Sequence, residues 1–219
     1  MEPRPAVRDR GTLRLALLAM AFETWFVLAL VVLHLLRRDL PPGRTMISQY
    51  AVGPYGALMA SAFVALALAL LMLVLGLLRD GPRSWAARIA EVLLGIAVVG
   101  LVISAAFPMD IRPPRTLSGK LHDISFLVNV TSSLLASALL SASFGSDPRW
   151  RPLRGAALAM VAAQVAAFVA QIVTIVTRNH WGVANRLFVL TMVIWFFAVA
   201  LRLRVVALDR VLVTAPLRS

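Results

Sequence analysis

The chain has 219 residues, of which 60% are hydrophobic, and a formal charge of +12. A soluble core of this length does not need so many apolar residues, whereas several stretches of about 20 would consume them, so the main solvent is lipid and a soluble globular fold is excluded. With no cysteine there is no disulfide, thiolate metal site or catalytic thiol, and arginines grouped between apolar runs read as membrane anchors and not as a nucleic-acid surface.

In chain order, the basic leader MEPRPAVRDRGTLR runs into an apolar segment longer than a signal-peptide core and without a small-residue cleavage site, so the first segment is expected to stay in the mature protein. Six apolar segments follow one another: Leu15–Leu36, Ala57–Leu78, Ala86–Phe107, Ile124–Phe144, Gly155–Val176 and Val183–Leu203. At about 1.5 Å per residue each reaches roughly 30 Å, the thickness of the hydrocarbon layer. Helices are required, because lipid cannot satisfy an open strand edge. Pro41-Pro42-Gly43, Gly53-Pro54, Gly81-Pro82, Pro108 with Pro113-Pro114, Gly145 with Pro148 and Pro152, and Gly182 break the runs. No break is long enough for a soluble domain. Residues 1–219 therefore read as a single all-α transmembrane domain, an integral membrane bundle of six helices.

Basic residues set the expected orientation. With the N-terminus cytoplasmic, the inner segments hold Arg4, Arg8, Arg10 and Arg14, then Arg79, Arg83 and Arg88, then Arg149, Arg151 and Arg154, then Arg202, Arg204, Arg210 and Arg218. The outer segments hold Arg37, Arg38, Arg44, Arg112, Arg115, Lys120, Arg178 and Arg186. Fourteen against eight places both termini in the cytoplasm. Lys120 is the only lysine, which together with abundant alanine suggests a GC-rich bacterial genome and hence a bacterial plasma (inner) membrane. Trp85 and Trp150 at one boundary, and Trp181, Tyr50 and Tyr55 at the other, fit aromatic belts.

All three histidines then fall on the outer side: His34 closes the first helix, His122 opens the fourth and His180 precedes the sixth. Asp39, Asp110, Asp123, Ser48, Gln49, Tyr50 and Asn185 join them. Within the helices, Glu23 lies eleven residues before His34, so the two share a face about three turns apart, with Glu23 near mid-membrane. His122, Ser125, Asn129 and Ser133 form an inward stripe on the fourth helix, and Gln164 and Gln171 line one face of the fifth. Arg88 and Glu91 read as a local i, i+3 pair. The rows Ala159, Ala163, Ala167 and Ala162, Ala166, Ala170 suggest that the fifth helix is central, with a homo-oligomer contact as the other use of that surface.

The run GRTMISQYAVGPYGALM, preceded by HLLRRDL, resembles a bacterial multi-pass family known as domain of unknown function 998. FPMDIRPPRTLSGKLHD is similar to that family's Phe-Pro-x-Asp element followed by a Gly-x-x-His opening of the fourth helix, and WGVANRLFVL resembles its approach to the sixth. Gln49 stands where the family commonly has an acidic residue. The resemblance covers nearly the whole chain and implies the fold, with no activity attached.

The candidate polar site is His34, Arg37, Arg44, Ser48, Gln49, Tyr50, Asp110, His122, Asp123, Asn129, His180 and Arg186, with Glu23, Gln164 and Gln171 as intramembrane polar residues. No complete catalytic motif is present, so the leading expectation is a non-enzymatic protein that binds or organises membrane lipid, or a small amphipathic molecule, at an outward-facing polar cavity. The outward arginines suit anionic head groups. Two alternatives use the histidines. A metal-dependent hydrolase for a lipid-like substrate would hold zinc on His34, His122 and His180, with Asp110 or Asp123 as ligand or base. A b-type haem protein would use His34 and His122 as axial ligands.

Overall fold

The computed structural model describes the backbone of residues 5–214 and the side-chain surroundings of residues 10–210. Arg4, Arg8 and Arg218, counted above for orientation, lie outside the described side chains. The helices are α1 (Pro5–Leu36), α2 (Gly56–Asp80), α3 (Trp85–Ala106), α4 (Leu117–Ser143), α5 (Arg151–Val176) and α6 (Trp181–Thr214), with short 3-10 turns at Ile47–Ala51 and Phe144–Ser146. All six are long and apolar enough to cross a membrane.

The helix ends differ from expectation where polar capping extends them. Helix α4 begins at Leu117, well before Ile124, because Thr116 caps it: its Oγ1 accepts the Gly119 N–H at 3.1 Å. Ser84 starts α3 the same way, accepting the Ala87 N–H at 3.2 Å. Helices α1 and α6 continue past their apolar cores into charged turns.

Helix α6 packs against α1 and α5, α1 against α2, α2 against α3 and α3 against α4, and a lighter α4–α5 contact closes the circuit. Phe26, Leu33, Leu70, Leu94, Trp195 and Phe196 are among the fully enclosed side chains at its centre. Helix α5 is not central. Only 11% of its spanning window is buried, and Ala159, Ala162, Ala163, Ala166 and Ala170 are exposed. Small residues permit close approach without requiring it.

Contacts across the bundle define two faces. The first, third and fifth connections meet on one, here the odd face, through bonds from Arg186 to Thr45 and from Ser48 to Met109. The even face, with the second and fourth connections, the N-terminal part of α1 and the C-terminal part of α6, is organised by Asp80. Its carboxylate accepts from Thr12 Oγ1 at 2.6 Å and pairs with Arg210, while Arg149 Nη1 lies 3.9 Å away. Trp150 donates its indole N–H to the Asp80 carbonyl at 3.0 Å and stacks on Phe144 at 5.0 Å. Trp150 is thus fully buried and is no belt residue, and Tyr50 is likewise buried; Trp85 and Tyr55 are exposed as a belt requires.

Candidate functional site

The stretch His34–Gly56 folds as a clasp over the odd end of the bundle, and two arginines hold it. Arg37, 5% exposed, directs Nε and Nη2 to Asp39 at 2.9 Å, and Nη1 to the carbonyls of Val52 at 2.9 Å and Pro54 at 3.0 Å. The hydrogen bond with Asp39 raises the guanidinium's pKa and lowers that of the carboxylate. Arg37 thus ties the two ends of the loop together.

Arg186, one turn into α6, ties the same loop to the opposite helix. Its Nε donates to His34 Nε2 at 2.6 Å, and Nη2 to the Tyr50 hydroxyl at 2.9 Å. Nη1 reaches the carbonyls of Thr45 at 2.6 Å and of Pro42 and Gly182 at 2.9 Å. These partners determine the imidazole tautomer: Nε2 supplies its lone pair to Arg186, so Nδ1 carries the proton and donates it to the Leu30 carbonyl at 2.6 Å. The Tyr50 ring completes the cluster, edge-on to His34 at 5.2 Å and under the guanidinium at 5.7 Å. Asn185 Oδ1 accepts the Ile47 N–H at 3.0 Å, and Gln49 Oε1 accepts the Met46 N–H at 2.9 Å. Gly182 is required here, because a Cβ would fall 2.6 Å from the Thr45 carbonyl oxygen and 2.8 Å from its nitrogen.

A second clasp forms around the third connection. Asp110 accepts the Thr116 N–H at 2.7 Å and its hydroxyl at 2.8 Å, and these bonds lower the carboxyl's pKa. Gly119 leaves the space that Asp110 fills. His122 Nδ1 bonds the Phe107 carbonyl at 2.9 Å, closing the element. The Phe-Pro-x-Asp and Gly-x-x-His residues are therefore parts of one helix cap. Ser48 Oγ joins the two clasps by donating to Met109 Sδ at 3.1 Å.

Beneath this roof lies a central cavity of about 80 Å³, lined by α1, α2, α3, α4, α6 and the Ile47–Ala51 turn. It has room for about five waters or for a small apolar group. Ser48, Ser104, His122, Asn129, Ser133 and Asn185 supply its polar lining, and most of the remainder is Phe, Leu, Val and Met. The expected stripe does look inward: His122, Ser125 and Ser133 are buried, and Ser104 donates to Ser125, which donates to the His122 carbonyl, each at 2.8 Å. The cavity is more apolar than the sequence suggests, because the third and fifth connections stay above it.

On the outside of the bundle a groove of about 400 Å³ follows the seam between α1 and α6, with His34 and Arg186 at its upper end. Phe26, Ile47, Val189 and Val193 line both this groove and the central cavity. A second groove continues along the same seam past Glu23. Glu23 is fully enclosed, and among the described residues neither carboxylate oxygen has a hydrogen-bond partner. Gln164 and Gln171 are, with Ala157, the buried residues of the otherwise exposed α5, and Gln164 donates to the Thr191 carbonyl at 3.4 Å.

His34, Tyr50 and Arg186 thus come together, Arg37 and Gln49 brace the loop, and Ser48, His122 and Asn129 face the cavity. Arg44 and His180 are exposed, and Asp123 pairs with Arg115 at the surface. The three histidines do not converge: among the described residues no three His, Cys, Asp or Glu side chains are placed to hold a metal ion. Both ring nitrogens of His34 are engaged, leaving no lone pair for zinc or haem iron. Sequence reasoning missed Asp80, since its partners Thr12, Arg149 and Arg210 stand far from it in the chain. It had Gly182 only as a break between helices and Gly119 only as a motif position, without the close approach of Thr45 and Asp110 that each one permits.

A family model described as Protein of unknown function (DUF998) matches residues 20–202. No curated protein and no solved structure matches the chain.

Proposed function

The chain belongs to the DUF998 family, a family described without an activity, and from that premise we propose that it is a binding protein for a small amphipathic, bilayer-dissolved molecule or lipid chain end. The ligand occupies the central cavity, with its polar end toward Ser48, His122 and Asn185 and its apolar part toward mid-membrane. The observation that carries this reading is the shared wall of Phe26, Ile47, Val189 and Val193, which separates a roofed, mostly apolar cavity from a groove facing lipid. Movement of those side chains would admit a molecule sideways from the bilayer, without passage through water. Such a ligand needs few polar contacts, because hydrophobic contacts supply the affinity and a few polar groups supply orientation.

The test is mass spectrometry of small molecules extracted from protein purified in nanodiscs, comparing the native chain with Val130→Trp, which fills the cavity. A compound retained by the native chain and lost from the variant supports the reading. Identical extracts from two folded proteins would end it.

The same reading places the odd face outside a bacterial plasma membrane and both termini in the cytoplasm. Support comes from the basic-residue count of fourteen against eight, which keeps its sense when engaged arginines are set aside on both faces: Arg37, Arg115 and Arg186 on the odd one, and Arg88, Arg149, Arg202 and Arg210 on the even one. The absence of cysteine makes the test simple. Single cysteines at Arg44 and at Ser146 should react with an impermeant maleimide in intact cells at the first position only. Reaction at Ser146 and protection at position 44 would reverse the orientation.

A further inference from the structure

The even face holds a separate pocket of about 520 Å³, formed where α3 begins and α6 leaves the membrane, and lined by Arg83, Ser84, Ser146, Asp147, Arg149 and Arg210. Two of its three guanidiniums have carboxylates. Arg149 directs Nη2 to Asp147 at 2.6 Å, and Arg210 pairs with the buried Asp80. Hydrogen bonding to Arg149 lowers the pKa of Asp147, which keeps that pair ionised. Arg83 is exposed and has no hydrogen bond or ion pair among the described residues. The pocket therefore carries one uncompensated positive charge.

Its remaining donors also suit an anion. Ser84 Oγ accepts the Ala87 N–H, so its own hydroxyl proton is left to donate outward. The amides of Trp85 and Ala86, in the first turn of a 22-residue helix, are not used by that cap. Amides at a helix start beside an unpaired arginine form a phosphate-type site. The Trp85 side chain, 73% exposed at the same corner, has the amphipathic character that places indoles at head-group depth. A free phosphate would need none of that apolar surface, whereas a lipid would use it.

We propose that this pocket binds the phosphate of an anionic phospholipid, with Arg83, the Ser84 hydroxyl and the first amides of α3 as donors. The site lies on the opposite face from the clasp and cavity, and it stands or falls independently of the cavity ligand. Native mass spectrometry of protein released from nanodiscs of mixed phosphatidylglycerol and phosphatidylcholine tests it. The native chain should retain phosphatidylglycerol selectively. Arg83→Gln should lower that retention about fivefold, as expected for one arginine near a charged lipid surface. Arg38→Gln, an exposed arginine on the odd face, should leave it unchanged, and circular dichroism should show the same helix content in all three. Equal retention by Arg83→Gln and the native chain, or equal retention of the two lipids, overturns the proposal. Displacement of the lipid by inorganic phosphate at constant ionic strength would assign the site to free phosphate and likewise overturn it.

Discussion

Replacing Arg186 by alanine removes the group that joins α6 to the first connection. Five acceptors lose a donor: His34 Nε2, the Tyr50 hydroxyl and the carbonyls of Pro42, Thr45 and Gly182. Hydrogen bonds to a charged group contribute about 1.5–3 kcal/mol each when taken singly. They do not add here, because one guanidinium makes them all and water can reach the Pro42 carbonyl at the exposed edge. The enclosed partners dominate, and a loss of about 3–4 kcal/mol follows for the bonds to His34, Tyr50 and Thr45, with the cation–π contact included. Arg186→Lys keeps the charge but not the planar fork, and should recover less than half of that loss. The assay is reversible unfolding in mixed detergent micelles, followed by far-UV circular dichroism. A cycle with His34→Ala isolates the Arg186–His34 term, expected at about 1–2 kcal/mol. A loss below about 0.5 kcal/mol in Arg186→Ala, or full rescue by lysine, would refute the clasp as a stabilising element.

Glu23 should behave oppositely, because a buried carboxyl with no hydrogen-bond partner among the described residues opposes folding; we expect Glu23→Gln to be at least as stable as the native chain in the same assay, and a clear loss would refute that reasoning. Gly182→Ala should cost about 1–3 kcal/mol by forcing the first connection off α6, while Gly95→Ala, with nothing within 4 Å of the new methyl group, should be neutral or slightly stabilising. For Asp110 the sign follows from its depressed pKa: the cap on Thr116 is fully formed above the ordinary aspartate range, and is lost as pH falls through the lower folded-state value. The Thr116 amide resonance should accordingly titrate below pH ~3.9, and a midpoint at or above that value would show that the carboxylate does not hold the cap.

Much of the architecture was legible in the sequence because lipid leaves few options: an apolar run of about 20 residues must be a helix, and six such runs must alternate direction. The inward faces of α1, α4 and α5 were readable for the same reason. Glu23, His122, Ser125, Ser133, Gln164 and Gln171 are polar groups that lipid would not tolerate, and all six are buried. The fifth helix was misplaced because small residues state only how closely a helix can be approached. The site was legible as a location and not as an arrangement. His34, Tyr50 and Arg186 could be assigned to one side of the membrane, yet nothing in their spacing says that one guanidinium would take up the histidine lone pair and three carbonyls besides.

The polarity pattern along the chain determined the helices, the two faces and the concentration of polar residues at one end, since each follows from the cost of placing a polar group in hydrocarbon. Tertiary structure alone decided which of those residues are used up in holding the roof and which are left facing the cavity. Hydrogen-bond capacity is finite, and Arg37, His34 and Arg186 are committed to partners from 2 to 152 residues away. Only the folded chain brings such partners within reach.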